Sequence, residues 1–212
     1  MTLPSITKDF LPDDNTTWSS EARRLADFLR RVDQHFGGEV TIKVYGSAAV
    51  AFYTAATSHS GYMTEDIDVG DPGSLPSGLQ IATNLAKQEG PEIDFHFRPP
   101  GLWLAAGNWP KYCVDISREL GTKSLSVELM HPIDLIISKM IRWNERDAED
   151  VSLIRGTLAI DVGMFARRLN QAVLDSMVTD WDKKALGEIL EELFFEDNEV
   201  EIAREATPAL DE

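Results

Sequence analysis

Hydrophobic and polar positions recur with different periods in the two halves of this chain. Between residues 39 and 130, short alternating or β-branched stretches predict strands, and helical segments separate them. From residue 132 onward, apolar residues recur only at helical spacing, whereas residues 102–122 follow neither period. Strands are predicted at residues 39–45, 65–69, 92–97 and 124–130. Helices are predicted at residues 18–36, 48–56, 79–89, 146–158, 162–175 and 181–196, with a further helix starting at Pro132.

This pattern predicts an α+β fold, with a mixed α/β half followed by a helical half. We expect an α/β core with an N-terminal helix at residues 1–131, a helical lobe at 132–196 and an acidic tail at 197–212. Asp161 and either Thr179 or Asp180 are suited to cap the helices that follow them.

Charge and cysteine content narrow the classes of protein that this chain can represent. The net charge is −16, which argues against broad binding to duplex nucleic acid. Residues 180–212 hold 12 acidic and 3 basic residues, which suits either a solvated tail or a docking surface for a basic partner. The single cysteine, Cys113, excludes an intramolecular disulfide and favours a cytoplasmic location. No apolar run reaches the length of a membrane span, so we expect no membrane partner.

The sequence from Thr64 to Val69, TEDIDV, is the strongest chemical signal in the chain. In a strand, Asp66 and Asp68 project from one face while Ile67 and Val69 enter the core. Adjacent carboxylates repel each other unless a cation lies between them, and Mg²⁺ favours such oxygen ligands together with substrate phosphates. The alternative is an exposed acidic strand edge.

Two flanking features strengthen the prediction of a metal and phosphate site. Gly46 and Ser47 follow a predicted strand and precede a helix, whose N-terminal N–H groups suit a phosphate. Asp94 lies on the predicted strand after the helix at 79–89, which is a natural crossover between neighbouring strands. A third carboxylate beside Asp66 and Asp68 would allow two metal ions about 4 Å apart. Asp115 and Glu128 are rivals to Asp94 for this position.

The order of strand, Gly46-Ser47, helix, Asp66-Ile67-Asp68, helix and strand with Asp94 resembles the DNA polymerase β-like nucleotidyltransferase superfamily. The later blocks HPIDLIISK (residues 131–139) and RDAED (146–150) resemble those of abortive-infection toxin nucleotidyltransferases. The resemblance covers roughly residues 40–155 and implies a nucleotidyltransferase-like mixed sheet flanked by helices.

The resemblance also implies roles for individual residues. Asp66, Asp68 and Asp94 would be catalytic carboxylates that hold Mg²⁺ or Mn²⁺, and Asp94 could also act as general base. The implied nucleotide-binding residues are Gly46, Ser47, Thr64 and Lys139. Tyr62 stands where many relatives have an arginine, four residues before the first aspartate.

These observations predict an enzyme that moves a nucleoside monophosphate from an NTP to an acceptor. The acceptor could be tRNA, a protein or a small molecule, and a toxin or phage-defence role would add a cognate antitoxin as partner. One alternative is a catalytically weak nucleotide-binding or protein-interaction module, which Tyr62 favours. Another is a small-molecule nucleotidylating enzyme of the antibiotic-resistance type. A local patch of Arg142, Arg146, Arg155, Arg167 and Arg168 could offset the acidic balance for an RNA acceptor. His96 could face the site, although a structural role is the simpler expectation.

Overall fold

The computed structural model describes residues 2–57, 63–70, 76–98, 103–194 and 197–210. The chain forms two compact units. One combines Ile6–Pro100 with Cys113–Met130, and the other combines Met1–Ser5, Gly101–Tyr112 and His131–Glu212. The strands are β1 (Val40–Tyr45), β2 (Asp66–Gly70), β3 (Asp94–Arg98), β4 (Val114–Asp115) and β5 (Leu125–Leu129). The helices are α1 (Ser20–His35), α2 (Gly46–Tyr53), α3 (Ser77–Glu89), α4 (Ser117–Leu120), α5 (Pro132–Met140), α6 (Glu145–Thr157), α7 (Val162–Asp175), α8 (Asp180–Leu193) and α9 (Asp197–Glu205).

The first unit is built on a mixed sheet with the strand order β3-β2-β1-β5-β4 among the described residues. β1 pairs antiparallel with β2 and parallel with β5, while β2 pairs parallel with β3 and β4 pairs antiparallel with β5. Helix α3 connects the parallel strands β2 and β3, as the sequence predicted for a crossover. The α+β class with a mixed sheet and C-terminal helices is therefore confirmed.

Register partners share a face of the sheet, and this separates apolar from polar residues. Ile42, Val44, Ile67 and Val69 lie on one face and are almost completely buried. On the same face, Phe95 of β3 lies 5.6 Å between ring centroids from Phe28 of α1. This face is the core side of the sheet.

The opposite face carries the polar side chains that the sequence singled out. Tyr45, Asp68 and His96 are register partners across β1, β2 and β3, and Asp66 is the partner of Asp94. Their side chains therefore point to one side of three adjacent strands.

The second unit is helical, and its helices begin at well-defined caps. Asp161 and Thr179 accept hydrogen bonds from the first turns of α7 and α8, which confirms both predicted caps. Within the unit, Arg168 is 1% exposed, and its guanidinium binds both carboxylate oxygens of Asp134 at 2.7 and 2.8 Å. A buried pair of this kind is expensive to break from one side.

Some element boundaries differ from the sequence-based ones. α2 starts at Gly46, two residues before the predicted helix, and the helix predicted at 181–196 ends at Leu193. Residues 197–205, which were expected to belong to an acidic tail, form α9, in which Ala203 is buried. The described part of the chain contains no helix with both the length and the apolar character needed to cross a bilayer.

Candidate functional site

Asp66 and Asp68 come together with His96 on the polar face of the sheet. Asp66 Oδ2 lies 2.7 Å from His96 Nδ1, and one ligand atom from each of the three residues falls within 4.8 Å of the others. Both aspartates are half-buried, and the His96 side chain is 50% exposed. The three residues thus form a cluster that solvent or a ligand can reach.

His96 joins the two aspartates from the neighbouring strand β3. It is the register partner of Asp68 across the parallel pair β2 and β3, whereas Asp94 is the partner of Asp66. In the sequence, His96 lies two residues after Asp94 on the same face of a strand, and a structural role is the simpler expectation for it. The register of the two strands brings its ring to the cluster, and residue spacing alone does not encode that register.

Asp94 is engaged elsewhere on the same face. Lys87 of α3 places its ammonium nitrogen 2.8 and 2.7 Å from the two carboxylate oxygens of Asp94. An ammonium group at this distance neutralises the carboxylate and repels a second cation beside it. The structure therefore groups Asp66 and Asp68 with His96, and pairs Asp94 with Lys87.

The two rival carboxylates lie on the other side of β1. Glu128 of β5 lies 3.6 Å from the ammonium nitrogen of Lys43. Asp115 of β4 accepts hydrogen bonds from the backbone and hydroxyl of Ser117, which hold its pKa below the ordinary value although partial burial acts to raise it. Neither carboxylate belongs to the cluster formed by Asp66, Asp68 and His96.

Gly46 brings the start of α2 against Asp68. Its φ is +65°, a left-handed conformation that glycine adopts without steric cost. A Cβ at this position would lie 2.5 Å from Asp68 Oδ2. Ser47 follows in the first turn of α2, and Tyr45, the N-cap residue, gives this turn no side-chain hydrogen bond. The N-terminus of a helix, where backbone N–H groups favour anions, therefore touches one carboxylate of the cluster.

An ion pair on α1 between the partly buried Arg24 and the buried Glu21 fixes the backbone where β2 begins. Glu21, which is 5% exposed, accepts hydrogen bonds from Arg24 and, at 2.7 Å, from the Thr64 backbone N–H. Arg24 also donates to the Thr64 carbonyl. The hydrogen bonds from Arg24 to Glu21 raise the pKa of the Arg24 guanidinium. Residue pairing of this kind was not foreseen from the sequence, because both residues fit the polar side of an ordinary amphipathic helix.

Thr64 itself orients Asp66. Its side chain is buried, and its hydroxyl donates to the backbone carbonyl of Asp66 at 3.0 Å and to Asp66 Oδ1 at 3.1 Å. These bonds leave Asp66 Oδ2 to His96. The structure therefore places Thr64 behind the cluster, as a support for one of its carboxylates.

Lys139 lies in the helical unit, where it is 4% exposed. Its ammonium group binds Asp150 and lies 3.5 Å from Asp147 Oδ1. Burial acts to raise the pKa of Asp147, but Arg142 and Lys139 hold it below its ordinary value. These ion pairs account for Lys139, Asp147 and Asp150 as buried charges of the helical unit.

The chemistry of the donor set fits a divalent cation. Two carboxylates and an imidazole supply the oxygen and nitrogen ligands that such ions take in proteins, and their atoms are close enough to share one ion after small side-chain adjustments. Tyr62, which replaces the arginine of many relatives, lies outside the described residues. No family model, curated protein or solved structure matches this chain, so a functional assignment depends on the residues of the site.

Proposed function

We propose that this protein is a metal-dependent nucleotidyltransferase of the DNA polymerase β-like type, which moves a nucleoside monophosphate from an NTP to an acceptor. Asp66 and Asp68 would hold the metal, Mg²⁺ or Mn²⁺, and the first turn of α2 at Gly46 and Ser47 would bind the triphosphate.

The contact between Gly46 and Asp68 carries this proposal. The missing Cβ of Gly46 lets the Asp68 carboxylate lie against the start of α2. A phosphate bound at the first turn of α2 would therefore lie beside this carboxylate. A carboxylate and a phosphate at this separation repel each other unless a cation lies between them. The site thus suits a substrate that arrives as a metal–triphosphate complex.

Each residue of the site has a defined task in this proposal. The Glu21–Arg24 pair fixes Thr64, and the Thr64 hydroxyl orients the Asp66 carboxylate. Asp68 is held at the start of α2 by its antiparallel pairing with Tyr45. When bound, the metal ion supplies charge stabilisation for the phosphoryl oxygens. The protein therefore holds the two carboxylates in position before the substrate binds.

Charge favours a protein or small-molecule acceptor over tRNA. Of the five arginines that could form a local basic patch, Arg168 is buried against Asp134, and Arg142 binds Asp147 through two hydrogen bonds. These pairings reduce the positive charge available to phosphates, on a chain whose net charge is −16.

Labelling with radioactive NTPs in the presence of divalent metal and cell extract tests the proposal. We expect a labelled acceptor with the wild-type protein and none with Asp66→Asn or Asp68→Asn. Asp115→Asn is the matched control, because it removes a carboxylate from the same sheet face on the opposite edge strand. Equal labelling by all four proteins would refute the proposed role of Asp66 and Asp68.

A second candidate function is a nucleotide-binding module without transfer activity. The observation that favours it is the Lys87–Asp94 ion pair, which leaves the cluster with two carboxylates instead of three. Under this alternative, calorimetry would detect NTP binding that Asp68→Asn weakens, while no extract component becomes labelled at any metal concentration.

A further inference from the structure

We infer that the metal ion of this site is ligated by Asp66, Asp68 and His96, and that the site prefers a first-row transition-metal ion such as Mn²⁺ to Mg²⁺. This inference rests on the proposed function, because it concerns the same two aspartates, and it identifies the third ligand and the class of metal.

The register between β2 and β3 places His96 beside the two aspartates. Asp68 and His96 are Cα partners, and partners in a parallel pair project side by side on one face. Asp66 lies two residues before Asp68 on that face, and its Oδ2 already lies 2.7 Å from His96 Nδ1. The cluster therefore combines the imidazole of β3 with both aspartates of β2.

The ligand atoms are also close enough to reach one ion. At about 2.1 Å from an octahedral ion, adjacent ligand atoms are about 3.0 Å apart and opposite ones about 4.2 Å apart. The three ligand atoms lie within 4.8 Å of one another, so side-chain movements of up to about 2 Å bring them into that range. His96 is half-exposed, which gives its ring the freedom to make this movement.

Asp94 is a weaker candidate for the third ligand, because it is held in an ion pair with Lys87. Both of its oxygens bind the Lys87 ammonium, at 2.8 and 2.7 Å. To ligate the metal, Asp94 would have to share or leave this ion pair and would place the ion near a positive charge. His96 needs only to exchange its hydrogen bond with Asp66 for a bond to the ion.

The donor set then determines the preference among metals. Mg²⁺ demands oxygen ligands and holds its waters, whereas imidazole nitrogen suits first-row transition metals. Mn²⁺ accepts carboxylate oxygens as readily as Mg²⁺ does and also tolerates a nitrogen ligand. A site with two carboxylates and one imidazole should therefore bind Mn²⁺ more tightly than Mg²⁺.

Calorimetric titration of the full chain with Mn²⁺ and with Mg²⁺, without nucleotide, tests the inference. We expect tighter Mn²⁺ binding by the wild type and a loss of at least about tenfold in Mn²⁺ affinity for His96→Ala, the lower end of what removal of a supporting residue costs at metal sites. His96→Asp should shift the preference toward Mg²⁺, because it supplies the missing carboxylate. Circular dichroism of each variant checks that substitution of the half-exposed His96 leaves the fold intact.

Asp94→Asn is the matched control, because Asp94 lies on the same strand and face two residues away. It should weaken Mn²⁺ binding less than His96→Ala does, because it leaves the Lys87 ammonium uncompensated but removes no ligand. If Asp94→Asn loses as much affinity as His96→Ala, or if only Asp94→Asn does, the third ligand is not His96 alone and the inference is overturned. Pulsed electron paramagnetic resonance of bound Mn²⁺ gives a direct signature, since a ligated imidazole adds nitrogen modulation that His96→Asp should remove.

The outcomes separate this inference from the proposed function. Preferred Mn²⁺ binding that depends on His96, without nucleotide transfer to any acceptor, would support the metal site and refute the enzyme. Transfer activity that depends on Asp66 and Asp68, with Mg²⁺ preferred and no effect of His96→Ala on metal affinity, would support the enzyme and overturn the inference. In that case His96 contacts Asp66 only through its hydrogen bond.

Discussion

Gly46→Ala is the substitution that most directly perturbs the proposed relation between α2 and the metal ligands. The added methyl group has two separate effects. Alanine at φ +65° costs roughly 1–2 kcal/mol, because its Cβ crowds the backbone in the left-handed region. The methyl group would also lie 2.5 Å from Asp68 Oδ2, so the carboxylate must retreat by about 1 Å to reach an ordinary contact distance of about 3.5 Å.

The second effect predicts a loss of metal binding beyond the loss of stability. Metal–ligand distances are held within about 0.2 Å, so a displacement of about 1 Å removes Asp68 as an effective ligand. We expect Gly46→Ala to lower the free energy of unfolding by about 1–2 kcal/mol in urea denaturation. We also expect it to weaken Mn²⁺ binding at least tenfold by calorimetry, which corresponds to a loss of about 1.4 kcal/mol of binding free energy.

Gly121→Ala separates the two effects. Gly121 has φ +75° at the end of α4, and a Cβ there would meet nothing within 4 Å. It should cost a similar free energy of unfolding and leave metal affinity unchanged. If both variants bind metal as the wild type does, the close approach of Gly46 to Asp68 has no functional meaning, and the main support for the phosphate site is lost.

Three further predictions concern residues that support the two units. Lys139→Ala leaves Asp147 and Asp150 buried without their shared cation, so it should cost about 3–5 kcal/mol in urea denaturation while NTP affinity stays unchanged; a stable variant that loses NTP binding would show instead that the lysine contacts phosphate. Burial lowers the pKa of His131 to about 4, so between pH 6.5 and about 4 the unfolded chain takes up a proton that the folded chain does not. The free energy of unfolding should therefore fall by up to about 3 kcal/mol as the pH drops through this window. It should fall less in His131→Asn, which retains a side chain that can cap α5. Equal pH dependence of the free energy of unfolding in the two proteins would contradict this assignment. Arg24→Ala should lower the free energy of unfolding by about 1–3 kcal/mol and weaken Mn²⁺ binding, because it removes the hydrogen bond to the Thr64 carbonyl. Arg23→Ala, at an exposed position of the same helix, should change neither quantity.

The sequence predicts most of the secondary structure because its two periods are clear. Residues 18–36 carry a strong helical repeat and form α1, and the alternating residues 39–45 form β1 with Ile42 and Val44 buried. The boundaries of α2 are less predictable, because a run of small apolar residues has no polar face to mark its ends. The segment 102–122 follows neither period. In its described residues, the only strand is the two-residue β4 and the only α-helix is the four-residue α4.

The candidate site is predictable only in part. Asp66 and Asp68 share a face because they are two residues apart on one strand, which a sequence shows directly. The choice between Asp94 and His96 depends on the register of β3 against β2, which arises from long-range packing of the apolar faces. The ion pair between Asp94 and Lys87 likewise depends on where α3 lies beside the start of β3.

The burial of Lys139 illustrates a different limit. A lysine and several acidic residues at helical spacing can pair with one another, but they normally do so on a solvated surface, and the sequence does not show that α5 and α6 bury them. Only the packed structure distinguishes a lysine available to a phosphate from one already bound to Asp150.

The position of a transferred radiolabel tests the central claim most directly. With Mn²⁺ or Mg²⁺ and cell extract, an NTP labelled at the α-phosphate should label the acceptor, an NTP labelled at the γ-phosphate should not, and Asp68→Asn should abolish the signal. Transfer of the γ-label would identify a phosphoryl transferase instead. Undiminished α-label transfer by Asp68→Asn would contradict the role given to the site at Gly46, Asp66 and Asp68.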